Sequence, residues 1–111
     1  MGDRLLQLLG IARRAGKLTY GLDAAVDMVK DKKSQLILVA SDASPRTSLI
    51  LQRACEENNA KLINITYTME QLGASIGRSS VATVALNGKS FTEKVKEICN
   101  TQISYTNERE I

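Results

Sequence analysis

Two rhythms of apolar residues alternate along the chain, one at helical spacing and one in short continuous or extended runs. Leu5, Leu8, Leu9 and Ala12 stand at i, i+3, i+4 and i+7, which is one stripe of a helix. Gly16 is placed to end that helix, because glycine adopts the left-handed conformation after a last turn without steric cost. Leu18 to Tyr20 reads as a brief extended piece, and Leu22, Ala25, Val26 and Val29 repeat the helical spacing, predicting a helix over 21–31. Leu36 to Ala40 is an unbroken apolar run bounded by polar residues. A strand covered on both faces has that signature.

Ser44 followed by Pro45 predicts a helix start, Ser as N-cap and Pro at the first helical position, with an inner stripe of Thr47, Ile50, Leu51, Ala54 and Cys55. Leu62 to Ile65 and Val81 to Leu86 read as strands. Thr68 with Gln71, and Ser90 with Glu93, have capping-box spacing, and each is expected to open a helix. Residues 101–111 carry no clear stripe and are expected as a polar tail to a single domain over 1–100. The predicted order is αβαβαβαβα. Regular alternation of this kind favours an α/β fold, a three-layer α/β/α sandwich.

Composition adds little to the fold and narrows the chemistry. The chain has 111 residues, 43% hydrophobic and 24% charged, which suits one globular domain. Only 4% is aromatic and there is no Trp, so extended stacking platforms for single-stranded nucleic acid are not expected. The formal charge of +3 is mildly basic and compatible with RNA binding. No secretory signal and no membrane-length apolar stretch is found, so no membrane association and a cytoplasmic location are expected. Cys55 and Cys99 fall on buried helix faces and are read as structural thiols.

With no His in the chain, the common general base and any His-paired nucleophile are missing, as is the usual zinc ligand set. No phosphate-cradling glycine motif occurs either. The chain is therefore read as not an enzyme, with no cofactor and no metal. Asp23 and Asp27, at i and i+4, are the one acidic pair to weigh. Asp near a helix N-terminus is already favoured by the macrodipole, and nothing else completes a metal or catalytic site. Lys17, with Arg13 and Arg14 before it, is the main basic feature. From charge alone, phosphate binding and a solvated helix end explain it equally well.

The order of motifs resembles a family. Gly21 opens the second helix, ASDASP (Ala40–Pro45) follows a buried strand, and LGASIG (Leu72–Gly77) precedes the last one. Together they resemble the ribosomal-protein L-seven-Ae superfamily, whose members bind kink-turn RNA. The leading LLGIARRAGKLTYG resembles its small bacterial YlxQ-like branch more closely still. The resemblance covers roughly residues 4–100 and implies a four-stranded mixed sheet, as in the L-seven-Ae and L-thirty-e ribosomal proteins.

Kink-turn readers of that family carry Gly-x-Asn-Glu-x-x-Lys at the start of the second helix. There the glycine backbone and the polar side chains read tandem sheared G·A pairs. In this chain the glycine is Gly21, the Asn position is Asp23, the Glu position is Ala24 and the Lys position is Asp27. Asp23 can accept from a guanine N–H but not donate, Ala24 does neither, and Asp27 reverses the charge. Contacts worth ~1–3 kcal/mol each are thereby lost. The family's loop after the second glycine covers a flipped-out nucleotide, and here it reads Ile76-Gly77-Arg78-Ser79, with Arg78 as a phosphate contact.

The resemblance and the basic segment imply a non-enzymatic RNA-binding protein, associated with ribosomal or other structured RNA and monomeric when free. The expected surface is Lys17, Gly21, Leu22 and Asp23, with Arg46, Ile76, Gly77, Arg78 and Ser79 alongside. The alternative is a protein-interaction module of the translation machinery that keeps the fold and uses the acidic Asp23/Asp27 face.

Overall fold

A computed structural model describes residues 4–99 with their side chains and carries the last helix as backbone to Glu110. The stretch 101–111, expected as a polar tail, continues the backbone of α5 as far as Glu110, and its side chains lie outside the described residues. Helices α1 (Arg4–Arg14), α2 (Leu22–Lys30), α3 (Pro45–Glu57), α4 (Met69–Ser75) and α5 (Lys89–Glu110) alternate with strands β1 (Leu18–Tyr20), β2 (Ser34–Val39), β3 (Lys61–Asn64) and β4 (Thr83–Asn87). This is the order read from the hydrophobic pattern.

The four strands form one sheet in the order β1-β4-β2-β3, mixed as the resemblance implied. β2 runs parallel to β3, with Leu38 opposite Ile63, while β4 is antiparallel to both β1 and β2. The apolar run of β2 is continuous because both of its faces are covered. Leu36 and Leu38 join one core with Leu5, Leu9, Leu72 and Val95 of α1, α4 and α5. Ile37 and Val39 join the other with Ala25, Val29, Leu51 and Cys55 of α2 and α3. The fold is thus an α/β/α sandwich with three helices on one face and two on the other.

Burial pushes the Cys99 thiol up to about 11, against a smaller lowering by Lys61, and raises that of Cys55 as well. Both thiols are buried and free, so they remain protonated packing groups at neutral pH.

Caps follow the sequence in two of three cases. Ser44 Oγ accepts from Thr47 N–H at 3.1 Å, ahead of Pro45. Thr68 and Gln71 form the full capping box, Thr68 N–H donating to Gln71 Oε1 at 2.9 Å. The box expected at Ser90 does not form. Gly88, at φ 89°, turns the chain straight from β4 into α5, and Thr92 N–H donates to Gly88 O at 3.1 Å. The helix therefore starts at Lys89 and places Ser90 inside its first turn.

Two glycines matter for how closely α4 is packed. A Cβ on Gly10 of α1 would stand 2.8 Å from the Ser75 carbonyl oxygen. One on Gly73 would stand 2.7 Å from Ser80 N and 2.9 Å from Ser80 Cα. Only glycine admits these backbones, so Gly73 is what lets the chain after α4 fold back across the helix.

Candidate functional site

The fold builds a corner where β1 meets α2, and Gly21 is its pivot. Gly21 N–H donates to Thr83 O at 3.0 Å, and its carbonyl accepts from Ala25 N–H at 3.0 Å, so one residue closes a strand pair and opens a helix. Its φ of 102° with ψ of 151° is a conformation open essentially to glycine alone. No side chain caps α2, so the N–H groups of its first turn have no capping acceptor at the positive end of the helix dipole.

On one side of the corner two arginines converge on Tyr20. The Arg13 guanidinium, from the end of α1, lies 5.3 Å from the Tyr20 ring centroid, and that of Arg78 lies 5.1 Å from it. Arg13 reaches back to this end because helical side chains tilt toward the N-terminus, and α1 runs against β1. Arg78 is delivered by the connection between α4 and β4, where Arg78 N–H donates to Gly73 O at 2.8 Å and Val81 N–H donates to Met69 O at 3.0 Å. Each ring contact is worth ~0.5–1 kcal/mol at an exposed site. The ring thus helps to hold both guanidinium groups at the corner, and neither pairs with a carboxylate among the described residues.

On the other side, α2 and α3 flank an open groove lined by Leu22, Asp23, Asp27, Lys30 and Arg46. Two carboxylates and two cations line it, so it is close to electroneutral. Leu22 is half-buried against the α2/α3 core, and Asp23 is exposed.

The structure thus brings Gly21, Leu22, Asp23 and Arg46 to one side of the corner and Arg78 to the other. Gly77, at φ 79°, and exposed Ser79 lie in the same connection as Arg78. Two expected residues are placed differently. The Ile76 side chain is only 7% exposed and belongs to the core, so it presents no apolar surface. Lys17 lies at the opposite end of β1. Its carbonyl accepts from Asn87 N–H at 2.8 Å, and its side chain passes over Gly88. Four residues of extended chain, roughly 13 Å, separate it from Gly21.

Arg13 and Tyr20 were not singled out as site residues from sequence. A lone tyrosine in a short strand gives no signal until the fold shows what stacks on it. The ASDASP segment also has an unanticipated use, since Asp42 Oδ1 accepts from Met69 N–H at 2.7 Å. The loop after β2 therefore caps α3 through Ser44 and ties down the start of α4 through Asp42. Among the described residues no group of three or more His, Cys, Asp or Glu side chains is placed to hold a metal ion, and no helix is long and apolar enough to cross a membrane.

Comparison with known proteins gives a consistent result. The model of the ribosomal protein L7Ae/L30e/S12e/Gadd45 family matches residues 3–97. The RNA-binding protein YlxQ of Bacillus subtilis is 28% identical over 94 residues, covering 85% of this chain and 93% of its own. That of Enterococcus faecium is 36% identical over 97 residues, covering 86% and 91%. A solved structure of a protein of unknown function from Bacillus halodurans superposes with a TM-score of 0.81 at 25% identity, covering 86% of this chain and 96% of that one.

Proposed function

The chain belongs to the ribosomal protein L7Ae/L30e/S12e/Gadd45 family, and from that premise we propose that it is a non-enzymatic, ribosomal-protein-like RNA-binding protein of the YlxQ type, whose contact surface is the Gly21 corner. The observation that carries the assignment of the surface is the convergence of Arg13 and Arg78 on Tyr20, next to Gly21. Two guanidinium groups gathered at one ring offer forked donors to phosphate oxygens. The uncapped start of α2 adds backbone donors that a phosphate or a base edge can approach.

Asp23, Ala24 and Asp27 stand where kink-turn readers carry Asn, Glu and Lys. The protein therefore grips structured RNA chiefly through its backbone, with the base-specific part of kink-turn recognition reduced. Ribosomal RNA is the natural candidate, and the cytoplasm the natural place. The second reading, a protein-interaction module, draws on the α2/α3 groove. Arg46 and Lys30 there offset Asp23 and Asp27, so the groove has no charge excess to recruit a basic partner.

Titration of a kink-turn hairpin across a salt series tests the proposal. Affinity should fall with salt, and an Arg13→Glu/Arg78→Glu variant should bind at least tenfold more weakly. Equal binding by the variant would remove the corner as the RNA surface.

A further inference from the structure

At the end of the sheet opposite Gly21, the lysines of three separate elements meet around the start of α5. A pocket of about 320 Å³ there is lined by Lys32, Lys33, Lys89 and Lys96, together with Thr92 and a single carboxylate, Glu93. The lining carries a net charge of +3, equal to the formal charge of the whole chain, so the remainder of the molecule is neutral in sum. Lys17 adds a further cation beside it, its side chain passing within 3.4 Å of where a Cβ on Gly88 would stand. Lys32 donates to Asn58 O at 3.1 Å, whereas Lys17, Lys33, Lys89 and Lys96 have no ion-pair partner among the described residues.

Two further features point to an anion. The first intrahelical bond of α5 is Thr92 N–H to Gly88 O, so the N–H groups of Lys89, Ser90 and Phe91 have no partner within the helix. The first turn of α5 contains no acidic residue to compensate the dipole. Independently, Thr92 is 7% exposed and its hydroxyl has no hydrogen-bond partner among the described residues. Of the described side-chain oxygens and nitrogens, only the Thr83 hydroxyl is both unpartnered and sealed from solvent. Thr92 itself lines the pocket.

We propose that this pocket is a second phosphate-binding site, which takes the sugar-phosphate backbone of the bound RNA where it continues past the Gly21 corner along the β1 edge. The proposal rests on the RNA-binding reading above. Cations, orphan N–H groups and a hydroxyl are what a phosphate needs, and they carry no base information. An acidic protein segment is the less suitable occupant. Protein docking sites are centred on buried apolar anchors, and among the described residues neither exposed large hydrophobic, Ile11 or Leu49, lines this pocket. Lys17 then keeps a role in RNA contact, at the second site rather than at the first. Glu93 is the opposing group and sets a limit on how deeply an anion enters.

The test uses the full chain and a Lys33→Gln/Lys89→Gln/Lys96→Gln variant, with two kink-turn hairpins that differ by one helical turn of stem. The variant should bind the long-stemmed hairpin about tenfold more weakly and with a salt slope shallower by ~2–3, while binding the short one like the parent. Unchanged affinity and slope on the long stem would overturn the proposal. Loss of binding to polyglutamate with RNA binding intact would overturn it in favour of an acidic protein. The Arg13→Glu/Arg78→Glu variant separates this site from the corner. If that variant binds RNA normally while the lysine variant does not, the corner fails and the pocket stands. Should neither hairpin bind the parent, inorganic phosphate followed by amide NMR decides between a free anion and no site. Shifts at Lys89–Thr92 would support the phosphate pocket without RNA, and their absence would overturn it.

Discussion

The two helical layers of the sandwich meet at Gly21 and bring opposite chemistry to it. The layer of α1, α4 and α5 supplies Arg13 and Arg78 around Tyr20, both arginines unopposed by any carboxylate within ion-pair distance among the described residues. The layer of α2 and α3 supplies Asp23 and Asp27, with Lys30 and Arg46 lining the same groove. Under the proposed function the comparison assigns phosphate contact and base reading to different layers, so one can change while the other persists. The basic layer holds Arg13 and Arg78, and the other layer carries Asp23, Ala24 and Asp27, none of which offers a side-chain hydrogen-bond donor at neutral pH.

The largest effect should come from the support beneath the basic layer. Gly73→Ala places a Cβ against the backbone of Ser79 and Ser80, at 2.7–3.0 Å, and no side chain there can swing aside. The connection that carries Arg78 must shift. Overpacking of this kind costs ~1–3 kcal/mol, to be read as a lower denaturation midpoint with an accompanying loss of RNA affinity. Unchanged stability would mean that the loop is not clamped by α4. Next in size is Arg13→Glu/Arg78→Glu, which leaves both layers folded and should reduce RNA affinity at least tenfold by removing two phosphate contacts and adding repulsion. Arg46→Glu, on the balanced layer, should have a clearly smaller effect in the same titration.

How much of this contrast could be read from the sequence depends on what each feature requires. The element order, the Ser44 and Thr68 caps and the doubly covered β2 were legible, because periodicity and cap spacing are local signals. The position of β1 was not. Its three residues could have joined either edge of the sheet, and its antiparallel pairing with β4 is what sends Lys17 to one end and Gly21 to the other. The basic run from Arg13 to Lys17 therefore looked like one patch and is divided between two. Gly88 overrode the Ser90 capping spacing, since a strand can turn into a helix through a single glycine at positive φ. The inward direction of Ile76 and the stacking on Tyr20 depend on tertiary packing alone.

A smaller effect, of opposite sign, belongs to the α2/α3 layer. The Thr83 hydroxyl is sealed in the fold without a hydrogen-bond partner among the described residues, on the strand face shared with Ala85 and opposite Val39. Thr83→Val keeps the shape and removes the unsatisfied group, so it should raise stability by about 1 kcal/mol in chemical denaturation. The backbone carbonyl of Thr83 that holds Gly21 is unaffected by the change. RNA binding should stay the same. A loss of affinity in this variant would show instead that the hydroxyl is used when RNA is bound.

The smallest change tests whether the reading layer touches RNA at all. Asp27 stands where kink-turn readers carry Lys, it is exposed, and its only cationic company in the groove is Lys30 and Arg46. If RNA lies across the Gly21 corner, Asp27 is within a Debye length of its phosphates, about 10 Å at 0.1 M salt, and opposes binding. Asp27→Lys then turns one repulsion into one attraction. It should raise affinity a few-fold and steepen the salt dependence by ~1. The gain should be equal for a kink-turn hairpin and a plain duplex if the contact is electrostatic only. It should favour the kink-turn if Lys at this position restores geometry as well as charge. No gain on either RNA would place the RNA wholly on the basic layer. The acidic face of α2 would then be a surface that RNA never meets, and its carboxylates would cost binding nothing.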